Sequence, residues 1–184
     1  MPRRKTISDD AILDRALPLM VRAGPAGFTL AELARELGIA PATLLQRFGD
    51  KATLIERVFA KDNARFVDWL AALPPDTGAD AITRIYADCT SLFGESSNLA
   101  DHLLWLREDI RNPKLNRLAR ERFALFRAEI VKRLPPMRIP VDQAARLLDA
   151  QFHGAAIQWA LAPEGRLDTF VADSLASWFT LAAE

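Results

Sequence analysis

The chain is poor in the residues that several protein classes require. Its single cysteine, Cys89, excludes an intramolecular disulfide framework and any multi-cysteine zinc or iron–sulfur site. Charge of one sign is not in excess: 24 Lys and Arg stand against 24 Asp and Glu. No global field therefore draws the chain to nucleic acid or membrane, and anion binding must come from local arrangement. No apolar run is long enough to span a bilayer. Arg3-Arg4-Lys5 near the N-terminus is not followed by an apolar stretch, so no secretory signal is expected and a cytoplasmic location is. β-branched residues are scarce. Val, Ile and Thr number 6, 10 and 9, against 31 Ala and 26 Leu, which favours helix over sheet.

What remains is an ordinary globule. Half of the 184 residues are hydrophobic and about a quarter are charged, enough apolar surface for a core. The length suits one large domain, or one small and one medium.

Helical spacing runs through most of the chain. Ser8-Asp9-Asp10 reads as a helix start ahead of Ile12, Leu13, Ala16, Leu17 and Met20. Pro18 within this pattern is expected to bend the helix or loosen its first turns, and Gly24-Pro25-Ala26-Gly27 to end it. Thr29-Leu30-Ala31-Glu32 has the spacing of a capping box. Gly38 stops that second helix, and Pro41 suits the first turn of a third, ending at Gly49. Asp50 can cap a long fourth helix, and Pro74 to Gly78 is the clearest break. Five further helices are placed near 79–93, 98–110, 113–134, 141–162 and 168–182. The expectation is an all-α fold of about nine helices.

Residues 29–48 make a short helix, a tight turn at Gly38-Ile39-Ala40 and a second short helix, the helix-turn-helix pattern. Leu33, Ala34, Leu37, Ile39, Leu44 and Phe48 fall where two crossed helices bury side chains. That leaves Pro41, Ala42, Thr43, Leu45, Gln46 and Arg47 on the outer face, slim enough to enter a major groove. Spacing alone leaves open a structural helical hairpin with an exposed polar face.

The stretch from Ile12 to Phe59 resembles the N-terminal domain of the TetR family of transcriptional regulators. Phe28-Thr29-Leu30, Leu33-Ala34, Leu37-Gly38-Ile39, Thr43-Leu44, Phe48, Lys51 and Leu54-Ile55 carry the resemblance. It implies a DNA-binding domain over 1–55 and a helical ligand-binding and dimerisation domain over 56–184. It implies that Thr29 caps the second helix and meets phosphate, and that Thr43 and Lys51 also meet the backbone. Pro41, Ala42, Leu45 and Gln46 would lie nearest base edges, with Arg47 reaching a phosphate or a guanine. The sequence departs from the family at Ala40, where Ser is frequent, and at Leu45 and Arg47, where Tyr is frequent. Two aromatic hydroxyl contacts are therefore missing.

Residues 1–60 hold nine Lys or Arg and seven Asp or Glu, a net of +2. Arg3, Arg4 and Lys5 form a basic arm suited to a phosphate backbone or a minor groove, or equally to a solubilising tail. Farther on, Tyr86, Cys89, Phe93, His102, Trp105, Phe123 and Phe126 are the aromatic and polar groups a small-molecule pocket needs, though each suits ordinary core packing. His153 is a further candidate polar group for a pocket or an interface. The run from Arg107 to Arg127 reads as a solvated basic face with intrahelical ion pairs. The last two helices are apolar over a wide arc, with a core and a partner to face. Phe152, Ala155, Trp159, Leu175, Trp178 and Phe179 are the residues expected at a dimer interface. The family resemblance implies a four-helix bundle between two chains.

Three function classes compete. The first is a dimeric DNA-binding regulator answering to a small-molecule effector, in this family usually a repressor on a palindromic operator. The second is an enzyme in a helical bundle. A di-iron site wants Glu-x-x-His, but Leu99 and Ala150 stand three residues before His102 and His153, and no phosphate loop or nucleophile elbow is present. No catalytic residue, metal or cofactor is expected. The third is a helical interaction module that has lost specific DNA binding, with Ala40 and Leu45 as signs of that loss.

Overall fold

The computed structural model describes residues 7–91 and 99–182. Among these residues are nine α-helices and no β-strand: α1 Asp9–Gly27, α2 Leu30–Leu37, α3 Pro41–Phe48, α4 Lys51–Ala71, α5 Ala79–Ser91, α6 Leu99–Arg111, α7 Pro113–Val131, α8 Val141–Leu161 and α9 Leu167–Ala182. No described helix is long and apolar enough to cross a membrane. The expected break at Gly94-Glu95-Ser96-Ser97 lies outside the described residues, as do Phe93 and the basic residues Arg3, Arg4 and Lys5.

The helix boundaries follow local chemistry. Ser8 caps α1 by accepting the Ala11 amide at 3.1 Å. Pro18 does not interrupt α1; the break falls at Gly24, with φ 66° and ψ 155°. Proline removes one donor but keeps a helical φ, whereas the positive φ at Gly24 leaves the helical path altogether. A side chain at Gly24 would also press on Leu104, since an added Cβ would lie 3.3 Å from its Cβ. Asp50 caps α4 through the Thr53 amide at 2.7 Å, and this bond holds its carboxyl below the usual aspartate range.

Two compact units emerge, and neither is a continuous stretch. One holds residues 1–66 and 100–120, the other 67–99 and 121–184. In the first, Ile12, Leu19, Met20, Phe28, Leu33, Leu44, Leu54 and Phe59 are buried together. Trp105 from α6 joins this core, its ring stacked 3.8 Å from that of Phe59. Each such buried side chain contributes roughly 1.5–3 kcal/mol. In the second unit α9 packs on α5 and α8, burying Ile82, Leu148, Val171 and Leu175. The turn before α5 is tied to the end of α7: Arg133 donates to the Pro74 carbonyl at 2.9 Å, and the Gly78 amide donates to the Arg133 carbonyl at 2.8 Å.

Candidate nucleic-acid interface

The α2–α3 pair is built by its ends. Thr29 Oγ1 accepts the Glu32 amide at 3.2 Å, which leaves its own O–H free to donate outward. At the other end Gly38 takes the left-handed conformation, φ 64°. Its amide donates to Arg35 O at 3.3 Å, and the Ile39 amide to Ala34 O at 3.0 Å. These paired bonds satisfy the terminal carbonyls and turn the chain sharply into α3. Pro41 starts α3 at Ala40, which offers no side-chain cap.

Leu33, Ala34, Leu44 and Phe48 are buried between α2, α3 and their neighbours. That burial turns Pro41, Ala42, Leu45 and Gln46 outward, all exposed. Leu45 is a large apolar residue left 46% exposed. Thr29 is exposed as well, while Thr43, Arg47 and Lys51 are half-buried.

Two of the expected cationic contacts are engaged within the chain. Lys51 Nζ donates to Ala26 O at 2.9 Å and stands 5.9 Å from the centre of the Phe28 ring. Arg47, expected to reach a phosphate or a guanine, is turned instead to the start of α1. Its Nε donates to Asp9 Oδ1 at 2.7 Å, its Nη1 donates to Ile7 O at 2.6 Å, and its Nη2 also pairs with Asp9. The partner is 38 residues away, so helical spacing gave no sign of it. The pairing belongs to a longer rack. Arg57 shares Asp9 at 3.3 Å, Lys61 meets Asp10 and Asp14 at 2.5 and 2.6 Å, and Arg65 meets Asp14 at 2.5 Å. The hydrogen bond from Lys61, with Arg65 beside it, holds the Asp14 carboxyl below its usual range.

The residues expected to line an effector pocket divide between the two units. His102 and Trp105 belong to the first, with Trp105 stacked on Phe59. Tyr86, Cys89, Phe123 and Phe126 belong to the second. There Tyr86 is fully buried, edge-on to Phe126 at 5.0 Å and tilted against Phe152 at 5.2 Å. Its hydroxyl donates to Asp149 Oδ1 at 2.7 Å. Arg127 donates to Asp149 Oδ2 from Nε and Nη2 at 3.2 and 3.0 Å, so α5, α7 and α8 share one polar network. Arg127 is thus not on a solvated ion-paired face as its spacing suggested; its partner is a buried acid 22 residues away. Asp149 went unnoticed in the sequence, although an acid between Leu148 and Phe152 on an apolar helix face was a signal. His153 Nδ1 lies 2.7 Å from Asp149 O, and its ring is 5.7 Å from that of Phe123. Burial pushes the Tyr86 hydroxyl and the Cys89 thiol above their usual ranges, with the charge of Asp149 adding to both, so each stays protonated.

Phe152, Ala155, Trp159, Leu175 and Phe179, expected to face a partner chain, are buried within the second unit, and Trp178 is half-buried. The large apolar side chains that α8 and α9 leave outward are Val141, Leu147, Ile157, Leu161 and Leu181.

A capped helix, a left-handed glycine turn and a second helix with a slim exposed face make a helix-turn-helix. Residues 12–58 match the family model of the bacterial regulatory proteins of the tetR family. That match spans α2 and α3 and lies within the first 58 of the 184 residues. No curated protein matches the chain. Among solved structures it is similar to a transcriptional regulator from Rhodococcus sp. Rha1, at 16% identity and a TM-score of 0.78, over 97% of this chain and 99% of the other. It is similar to a regulator from Saccharomonospora viridis in complex with choline, at 21% identity and a TM-score of 0.74, over 96% and 97%. A third is the regulator FadR from Bacillus subtilis in complex with stearoyl-CoA, at 13% identity and a TM-score of 0.67, over 90% and 94%. At these identities the likeness is one of fold.

Proposed function

We propose that this chain is a cytoplasmic, ligand-responsive transcriptional repressor that binds a palindromic operator as a homodimer. The observation that carries the reading is the exposed face of α3, Pro41, Ala42, Leu45 and Gln46, held out by buried Leu44 and Phe48 within a segment that matches a DNA-binding family. Gln46 has the amide to pair with adenine, and Ala42 and Leu45 suit thymine methyl groups. Thr29, Thr43 and Lys51 supply donors for phosphate. The outward apolar residues of α8 and α9, Leu147, Ile157, Leu161 and Leu181, support a face for a second copy. The relatives in complex with choline and with stearoyl-CoA support a small-molecule effector, for which the aromatic surroundings of Tyr86 and Asp149 are the candidate site. An effector acts only through unequal affinity for the two states of the regulator.

The test is selection of bound fragments from random double-stranded DNA with purified protein near physiological salt. Enrichment of a palindromic motif is expected. Gln46→Ala should then alter the base preference, whereas Lys51→Ala should weaken binding to all sequences. Identical motifs for wild type and Gln46→Ala would remove Gln46 from the base contacts, and no enrichment from wild type would favour the interaction-module reading.

A further inference from the structure

Asp9 precedes the segment matched by the family model, and as a sequence feature it is only an acid in a first helical turn. In the structure its carboxylate joins three helices. One oxygen takes Arg47 of α3, and the other takes Arg57 of α4. The Arg57 guanidinium in turn lies 4.8 Å from the centre of the Phe48 ring at the end of α3. Arg47 closes the arrangement by donating to the Ile7 carbonyl, just before α1. All three guanidinium nitrogens of Arg47 face acceptors in the chain, and the side chain is only 21% exposed. To touch DNA it would have to abandon a forked, charge-assisted contact.

The third helix needs such a hold. It is eight residues long, about two turns, with no side-chain cap at its start. Its buried anchors, Leu44 and Phe48, lie on one side and set which face looks outward, and only these two of its eight residues are buried. Arg47, adjacent to Gln46, adds a hold on the flank of that face through Asp9 and Ile7.

We propose that Asp9 and Arg47 form a clamp that sets the pose of α3. Arg47 is then a positioning residue for DNA reading, with Asp9 its partner, and not itself a contact to DNA. The inference rests on the DNA-binding function above.

The experiment uses the full chain as wild type, D9N, R47Q, R47K and the D9N/R47Q double variant. For each, affinity for the selected motif and for a scrambled duplex is measured across a salt series, with a thermal melt. D9N should lower the ratio of specific to non-specific affinity by about tenfold, the size of one charge-assisted hydrogen bond. The slope of affinity against salt should stay unchanged, because no phosphate contact is lost. R47Q should match D9N, and the double variant should lose no more than either. R47K should not rescue, since one ammonium nitrogen does not reproduce the fixed spread of Nε and Nη2 on Asp9 and Nη1 on Ile7.

Tighter binding by D9N, with a salt slope reduced by about one in R47Q, would overturn the clamp and make Arg47 a phosphate contact that Asp9 restrains. An unchanged specificity ratio in D9N would overturn it as well, and so would a lowered melt with that ratio intact. A wild type that enriches no motif would overturn the DNA-reading function itself. Enrichment by wild type with an unaltered D9N ratio overturns the clamp alone.

Discussion

Removing the Tyr86 hydroxyl isolates one buried, charge-assisted hydrogen bond. In Tyr86→Phe the ring can keep its place against Phe126 and Phe152, so no cavity opens. What is lost is the 2.7 Å donation to Asp149 Oδ1. Arg127 still serves Oδ2, but Oδ1 is left in the interior without its donor. Hydrogen bonds to charged groups contribute about 1.5–3 kcal/mol, and the expected loss is about 2 kcal/mol. For a chain of this size that is a fall in Tm of roughly 4–8 °C. In an Asp149→Asn background the same change removes a bond between neutral groups and should cost only about 1 kcal/mol. The coupling between the two sites would then be about 1 kcal/mol. Hydrogen exchange of α5 and α8 amides reads the loss at the bond itself, beside the melt. Protection in Tyr86→Phe equal to wild type within about 0.5 kcal/mol would refute the reasoning.

Two further outcomes concern helix ends. Thr29→Ala should cost about 1 kcal/mol by leaving the Glu32 amide without its cap, and Thr29→Ser should restore most of it. Equal urea midpoints for Thr29→Ala and wild type would show that the cap contributes nothing. At the start of α9, Asp168 is held down to about 2, first by the hydrogen bond from Arg166 and then by the Thr169 amide. Its folded value lies below the ordinary 3.8, so the stability it adds is present above 3.8 and is lost as pH falls through about 2. Arg166→Gln should flatten the acid limb of stability between about pH 4 and pH 2. An unchanged limb would remove the pair from the acid response.

The ends of α2 and α3 were legible in the sequence because the groups that make them are local. Thr29 finds its amide three residues on, and Gly38 takes the one conformation that closes α2 in so short a turn. The outward face of α3 was legible for a related reason. Once Leu44 and Phe48 are buried, a period of 3.6 residues leaves Leu45 and Gln46 on the other side. The break in α1 was less clear. Pro18 and Gly24 both signal interruption, and the choice of Gly24 goes with the close approach of Leu104, about 80 residues farther on.

The partners of Arg47 and Arg127 had no local signature. Each has acids at helical spacing or nearby, yet each pairs across the fold, with Asp9 and with Asp149. The same holds for α8 and α9, whose apolar arcs signalled burial without saying against what. Packing on α5 and on each other takes up Phe152, Ala155, Leu175 and Phe179, and leaves Leu147, Ile157 and Leu161 outside. By itself the sequence determined an all-helical chain, the helix-turn-helix and the residues its second helix presents, since caps, turns and helical periodicity act within a few residues. Only the tertiary structure decided which charges meet, which aromatics share a core and that residues 100–120 join the N-terminal unit. Those outcomes depend on which surfaces exclude water together, and that is a property of the assembled helices.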